Sequence, residues 1–157
     1  MNKDKYILVI ADGSKEMKVA LQFACARAKK TNRKIIIATF IEPIDVLTTQ
    51  GVTKIMQNEA REEAEKNIQY AASIVKESTG IMPVLQIREG EIMKELKALI
   101  DEEKNINVLV IAANVDEKDN NPGPIINALV SSELSNFRIP VMIVPGNFSK
   151  EHISFIS

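Results

Sequence analysis

Five short apolar runs constrain this chain more than any other feature. They cover residues 6–11, 34–41, 82–87, 108–113 and 140–144, and each is rich in Ile, Val or Leu with little alternation. A strand with one wet face alternates apolar and polar residues, whereas a strand covered on both faces does not. The runs therefore predict five strands buried on both faces, as in a parallel sheet.

The segments between the runs have helical periodicity. The first helix follows Ser14, a residue suited to an N-cap, and places Met17, Ala20, Leu21, Ala24 and Ala28 on one stripe before Asn32 ends it. The second spans residues 51–78. Val52, Ile55, Met56, Ala60, Ala64, Ile68, Ala71 and Val75 form its stripe, Glu59, Glu62, Glu63 and Glu65 a solvated face, and Gly80 its stop. The third covers residues 91–103, with Ile92, Leu96, Leu99 and Ile100 inward. The fourth follows Asn120-Asn121-Pro122-Gly123, with Pro124 in its first turn and Ile126, Leu129, Val130 and Leu134 inward. Strands joined by crossover helices run mostly parallel with right-handed connections, and the helices cover both sheet faces. The expected architecture is a three-layer α/β/α sandwich: one domain over residues 1–146 and a tail over 147–157. The tail carries Phe148, Ile153, Phe155 and Ile156; it crosses the surface, pairs with a partner chain or stays disordered.

Composition removes several function classes. Twenty basic and 21 acidic residues leave a net charge of −1 over 157 residues, which excludes binding nucleic acid through overall charge. Trp is absent and aromatics make up 4%, so stacking platforms for single strands are not expected. One cysteine, Cys25, makes neither an internal disulfide nor a cysteine-rich zinc site; its place beside the first helical stripe reads as core. The single histidine, His152, lies in the tail and reads as an ordinary surface residue. No apolar run approaches the roughly 20 residues of a bilayer span, and residues 1–14 lack the long apolar region of a leader peptide. The expected location is the cytoplasm, without membrane contact.

In open parallel sheets, ligands bind at the carboxyl ends of the strands where strand order switches. That points to residues 12–14, 40–45, 88–91 and 114–124. Asp12 offers a carboxylate to a ribose or an adenine edge, and Gly13 permits close backbone approach. Equally, Asp12 and Ser14 shape the turn and cap the helix. Gly90 reads as a turn residue and Glu91 as an acid favoured by the helix dipole. The loop 114–124 holds Asp116, Glu117 and Asp119 with one glycine, Gly123. A phosphate cradle needs converging backbone amides, usually on glycines, and three acids repel phosphate. The spacing matches no EF-hand, so a solvated loop is preferred to a Mg²⁺ or Ca²⁺ site. GxGxxG, Walker A, GxSxG and HExxH are absent, and no catalytic residue or metal ligand is assigned. The first loop lacks the Ser/Thr-rich phosphate site of a flavodoxin-like carrier.

Taken in order, the segments YILVIADGS, IIIATFIEP, NVLVIAA and IPVMIVP, the long acidic helix and Gly90 resemble the universal stress protein family over residues 6–144. The resemblance implies strand order 3-2-1-4-5, as in the adenine nucleotide alpha-hydrolase-like fold. It also implies a homodimer formed by the last strand, through Pro140, Val141, Met142, Ile143 and Val144. ATP-binding members resemble one another in a motif of Gly, two residues, Gly, nine residues, Gly and Ser or Thr. Here Ala112 and Val115 fall at the first two glycines and Asn127-Ala128 at the final pair, and the interval is two residues too long. Of the binders' residues, Asp12 matches by identity and Phe40 by position. The expected function is thus a regulatory stress-response homodimer that acts on protein partners, with no catalysis, no cofactor and no ATP binding of the family's usual kind. The alternative is an ATP or AMP binder, with or without Mg²⁺, that holds the nucleoside through Asp12, Gly13 and Phe40.

Overall fold

A computed structural model of the chain describes residues 4–43, 50–116 and 118–157. The elements alternate along the sequence: β1 (Tyr6–Ile10), α1 (Met17–Thr31), β2 (Lys34–Ile41), α2 (Gln50–Thr79), β3 (Val84–Glu89), α3 (Ile92–Glu102), β4 (Ile106–Ala113), α4 (Pro124–Ala128), β5 (Val141–Pro145) and α5 (Lys150–Ile156). The five strands form one sheet in the order β3-β2-β1-β4-β5, and every pairing is parallel. Strand order therefore reverses between β1 and β4.

Two cores explain why the central strands do not alternate. Ile7, Val9, Ile35, Ile37, Val108 and Val110 point to one side, where α1, α2 and α5 pack. Leu8, Ile10, Ile36, Ala38, Leu109 and Ile111 point to the other, against α3 and α4. Leu8, Leu96, Leu99 and Leu109 are completely buried; truncating one to Ala costs about 2–5 kcal/mol.

Several helix ends follow from single residues. Asn32 adopts a left-handed conformation at φ 55° and its N–H donates to the Ala28 carbonyl, closing α1. Gly80, at φ 75°, follows α2. At the end of α3 a guanidinium does the work: Arg138 Nε donates to the Ile100 carbonyl at 3.0 Å, Nη1 to Ile106 at 3.2 Å and Nη2 to Glu103 at 2.7 Å. A cation there meets carbonyls that have no helical partner and the negative end of the dipole.

The structure departs from the sequence expectations in five places. α1 begins at Met17 with Glu16 as N-cap residue and no side-chain cap, because Ser14 is engaged with Asp12 instead. Strand three is Val84–Glu89, displaced from 82–87, and only half-buried; it is an edge strand, so pairing with β2 sets its limits rather than burial on two faces. The last strand is Val141–Pro145, which leaves Pro140 just outside it, and with Met142 and Ile143 exposed it is an edge strand rather than one buried on both faces. In α2, Ala64, Ile68, Ala71 and Val75 are buried, but Val52, Ile55 and Met56 are exposed. Their turns carry the apolar stripe without a core to meet it. In the fourth helix, Ile126 and Leu129 are buried while Val130 and Leu134 are exposed. After α4 the chain widens into a π-helical stretch over Leu129–Glu133 and tightens into a 3₁₀ turn over Leu134–Asn136. The change of pitch rotates the later residues off the 3.6-residue stripe.

The tail crosses the surface as α5 and is seated on α1 by Ile153, which is 2% exposed and part of the first core. Ser149 caps it, its hydroxyl accepting from the His152 N–H at 3.1 Å. Phe148 and His152 pack edge to face with ring centroids 4.7 Å apart.

Candidate functional site

The carboxyl ends of β1, β2 and β4 bring the residues named above to one end of the sheet. Just beyond β1, the Asp12 carboxylate folds back on its own turn. Its Oδ1 accepts the Ser14 N–H at 3.0 Å and the Ser14 hydroxyl at 2.6 Å. Short polar side chains form such turns when they outcompete the helix for a local amide. Asp12 remains exposed, and Oδ2 has no hydrogen-bond partner among the described residues. Gly13 stands at φ 76°, and a Cβ added there would lie 2.7 Å from Nδ2 of Asn67. The α2 residue Asn67 thus roofs the turn after β1, a neighbour that sequence periodicity does not reveal.

The two central strands are tied together at this end. Thr39, the only polar residue buried among the described ones, donates its hydroxyl hydrogen to the Ala11 carbonyl, and Ala11 N–H donates to the Ala38 carbonyl at 2.8 Å. Phe40 follows, half-buried against the second core. The Asp12 turn and Phe40 therefore occupy adjacent strand ends. Residues 44 and 45 of the stretch after β2 lie outside the described residues.

The loop after β4 is held by its own side chains. Asp116 Oδ1 accepts the Lys118 N–H at 3.0 Å, Asp119 Oδ1 the Asn121 N–H at 3.2 Å, and Asn121 Oδ1 the Gly123 N–H at 3.0 Å. Asn114 Oδ1 accepts the Asp116 N–H at 3.2 Å, while its Nδ2 donates to the Asn121 carbonyl at 3.0 Å and to Asp119 Oδ2 at 3.3 Å. Four backbone amides that a phosphate would need are thus bonded to oxygens within the loop. Asp116 also lies 3.7 Å from Lys15, an exposed pair that contributes little. Glu117 lies outside the described residues. No group of three metal-ligating side chains occurs among the described residues.

A cleft of about 320 Å³ opens beside this loop, lined by Lys15, Glu16, Asn114, Asp116 and Asn147 among others. Gly146 forms its back wall, with its N–H donating to the Ala113 carbonyl at 2.9 Å. Among the described residues the walls carry two carboxylates, Glu16 and Asp116, and one lysine, Lys15, a poor match for a triphosphate. At the end of β3, Gly90 adopts φ 144° and Glu91 precedes α3 as its N-cap residue, leaving Glu95 as the acid of the first turn. Cys25 is 1% exposed, and burial pushes its thiol pKa up; it belongs to the core.

Among the described residues, no strand lies beside the edge of β5 away from β4. Met142 and Ile143 are 39% and 43% exposed there, and Val144 is buried. No helix of the described residues is long and apolar enough to cross a membrane.

The family model described as "Universal stress protein family" matches residues 5–145. Among solved structures, universal stress protein UspA from Lactobacillus plantarum superposes with a TM-score of 0.74 at 14% identity, covering 92% of this chain and 99% of that one. A universal stress protein in complex with cAMP gives 0.62 at 22% identity, with 93% and 100% covered. The universal stress protein from Archaeoglobus fulgidus in complex with dAMP gives 0.61 at 14% identity, with 92% and 99% covered. No curated protein matches the chain significantly.

Proposed function

From the premise that the chain belongs to the universal stress protein family, we propose that it is a regulatory stress-response protein that does not bind ATP in the family's usual way. One observation carries this reading: the amides of Asp116, Lys118, Asn121 and Gly123 are already bonded to Asn114, Asp116, Asp119 and Asn121. A triphosphate entering here would break those bonds and meet two carboxylates, and Gly123 is the only glycine of the loop that could bring its backbone close. Calorimetric titration with ATP and Mg²⁺ tests the reading. The expected result is no saturable heat; micromolar affinity would overturn it.

The active form in this reading is a cytoplasmic homodimer paired through β5, acting by contact with protein partners and without catalysis. The unpaired edge of β5 supports the pairing, because an exposed apolar strand edge is a liability unless it is covered. Replacing Ile143 with Lys is expected to give monomers on gel filtration; an unchanged dimer mass would place the interface elsewhere.

A second reading rests on Asp12, an exposed residue beside Gly13 and the Phe40 strand end. A nucleoside monophosphate needs less phosphate cradle, and relatives of the same fold are described in complex with cAMP and dAMP. Titration with AMP and cAMP, with and without Asp12→Ala, separates the two. Binding lost in the variant supports the second reading, and no binding at all supports the first.

A further inference from the structure

The end of the sheet opposite the Asp12 turn is basic. There the starts of β1, β2 and β4 and the end of α1 surround an open cleft of about 460 Å³, lined by Asp4, Lys5, Thr31, Asn32, Arg33 and Asn107. No residue of β5 lines it, so the edge proposed for self-pairing lies outside the cleft. Lys29 and Lys30 occupy the last turn of α1. Among the described residues, Asp4 is the one acid that lines the cleft, and Lys34 engages it at 2.8 Å. Lys29 and Lys30 complement the α1 dipole, but that does not account for Lys5 and Arg33, which precede β1 and β2. Arg33 is half-buried, and its Nη1 donates to Asn107 Oδ1 at 2.9 Å. That bond fixes the guanidinium and leaves Asn107 Nδ2 as an unused donor among the described residues. Lys5 and Asn32 are exposed, and neither side chain has a partner among the described residues.

We propose that this cleft docks an acidic segment of a partner protein. Its side-chain carboxylates pair with Arg33 and Lys5, and its main-chain carbonyls accept from the Asn32 and Asn107 amides. The proposal rests on the reading that the chain acts through protein partners, and it names the chemistry of one. A guanidinium matches a carboxylate with two parallel hydrogen bonds, and one already held by Asn107 loses less freedom on binding. Amide donors beside cations suit a peptide, which alternates carbonyls with charged side chains. A nucleic acid strand is a poorer occupant. Among the described residues no aromatic ring lines the cleft for a base to stack on, and a phosphodiester chain draws its affinity from a longer track of cations.

The test is fluorescence anisotropy of the full chain with labelled probes: a short peptide of alternating Glu and Ser, its Gln-Ser counterpart, and a thymidylate oligomer of equal length. The Glu peptide is expected to bind saturably and to weaken as salt rises. The other probes are expected to bind at least roughly tenfold more weakly. Arg33→Gln is expected to weaken the Glu peptide roughly tenfold and Lys5→Gln about threefold, the second serving should the first not fold. Lys94→Gln makes the same charge change on the exposed surface of α3 and is expected to leave binding unchanged. Overturning results are no saturable binding, a thymidylate oligomer that binds as tightly, cleft variants that bind as well as the parent, or a loss in Lys94→Gln equal to that in Arg33→Gln. The two readings fail separately: saturable ATP binding overturns the regulatory reading, and a silent Glu peptide overturns this surface.

Discussion

Asn67 lies against Gly13, its Nδ2 2.7 Å and its Oδ1 3.0 Å from where a Cβ on Gly13 would sit. Two costs are therefore superimposed at Gly13. The φ of 76° penalises any L side chain, by about 1–3 kcal/mol, and the amide of Asn67 must move as well. Gly13→Ala is expected to lose more stability than the backbone term alone. Adding Asn67→Ala should recover the clash but not the backbone cost. A double-mutant cycle by urea denaturation reads the coupling; strictly additive losses would show that Asn67 yields freely.

Gly146 sets a tighter limit. A Cβ there would overlap the Ala113 carbonyl oxygen and lie 2.6 Å from Glu16 Cβ. Neither neighbour is the flexible end of a side chain, so β4, β5 and the start of α1 would have to separate. Gly146→Ala is expected to cost about 1–3 kcal/mol, as overpacking in a fixed core does. Thermal unfolding measures it, and a variant with parental Tm would contradict the packing.

How much of this was legible in the sequence depends on where the deciding contact lies. β1, β2 and β4 could be read because burial on both faces writes itself into consecutive residues, as in Ile7 to Ile10. β3 was displaced by two residues because an edge strand takes its limits from its neighbour, Ile36 pairing with Val84. A constant 3.6-residue pitch would turn Val130 and Leu134 inward, and the π-helical stretch after Ala128 leaves both exposed. Position alone points to Asp12 and the acids of loop 114–124; the Asp12–Ser14 turn is one of the readings the sequence leaves open, whereas the backbone partners of the loop acids are not legible. A short polar side chain that bonds its own backbone and one that awaits a ligand look alike in sequence. Asn67 over Gly13 depends on helix placement across the sheet, and no local pattern encodes that.

The loop after β4 hangs on Asn114. Its side chain accepts one amide and donates to Asn121 and Asp119, closing the loop across its base. Asn114→Ala removes all three bonds while leaving the strand intact. Local opening is expected to rise, and limited proteolysis should nick the chain within residues 114–123 several times faster, with little change in global Tm. Unchanged cleavage would mean that the Asx turns hold the loop without Asn114.

Arg138 makes a comparable tie on the other face. Its fork reaches the carbonyls of Ile100, Glu103 and Ile106 together, which a single ammonium does not reproduce. Arg138→Ala is expected to cost about 1.5–3 kcal/mol, as for hydrogen bonds to a charged group. Arg138→Lys should recover only part of it. Full recovery by Lys in chemical denaturation would reduce the role to charge at the helix end.

A last prediction concerns acid. The Arg88 guanidinium hydrogen-bonds Glu102 and holds its carboxyl below the usual range, while Glu102 in turn raises Arg88. A carboxyl with a lowered folded pKa contributes stability above its unfolded value, about 4.3, and that contribution fades as pH falls through the folded value. The parent should therefore exceed Glu102→Gln in Tm at pH 6–7, and the two should converge toward pH 3. Glu102 is solvent-exposed, so the gap is expected to be small and to shrink with added salt. Arg88 stays charged throughout this range, and Glu95 and Glu103 also act on it, so its loss should matter more than that of Glu102. A gap that persists at pH 3, or widens there, would show that Glu102 acts through packing rather than charge.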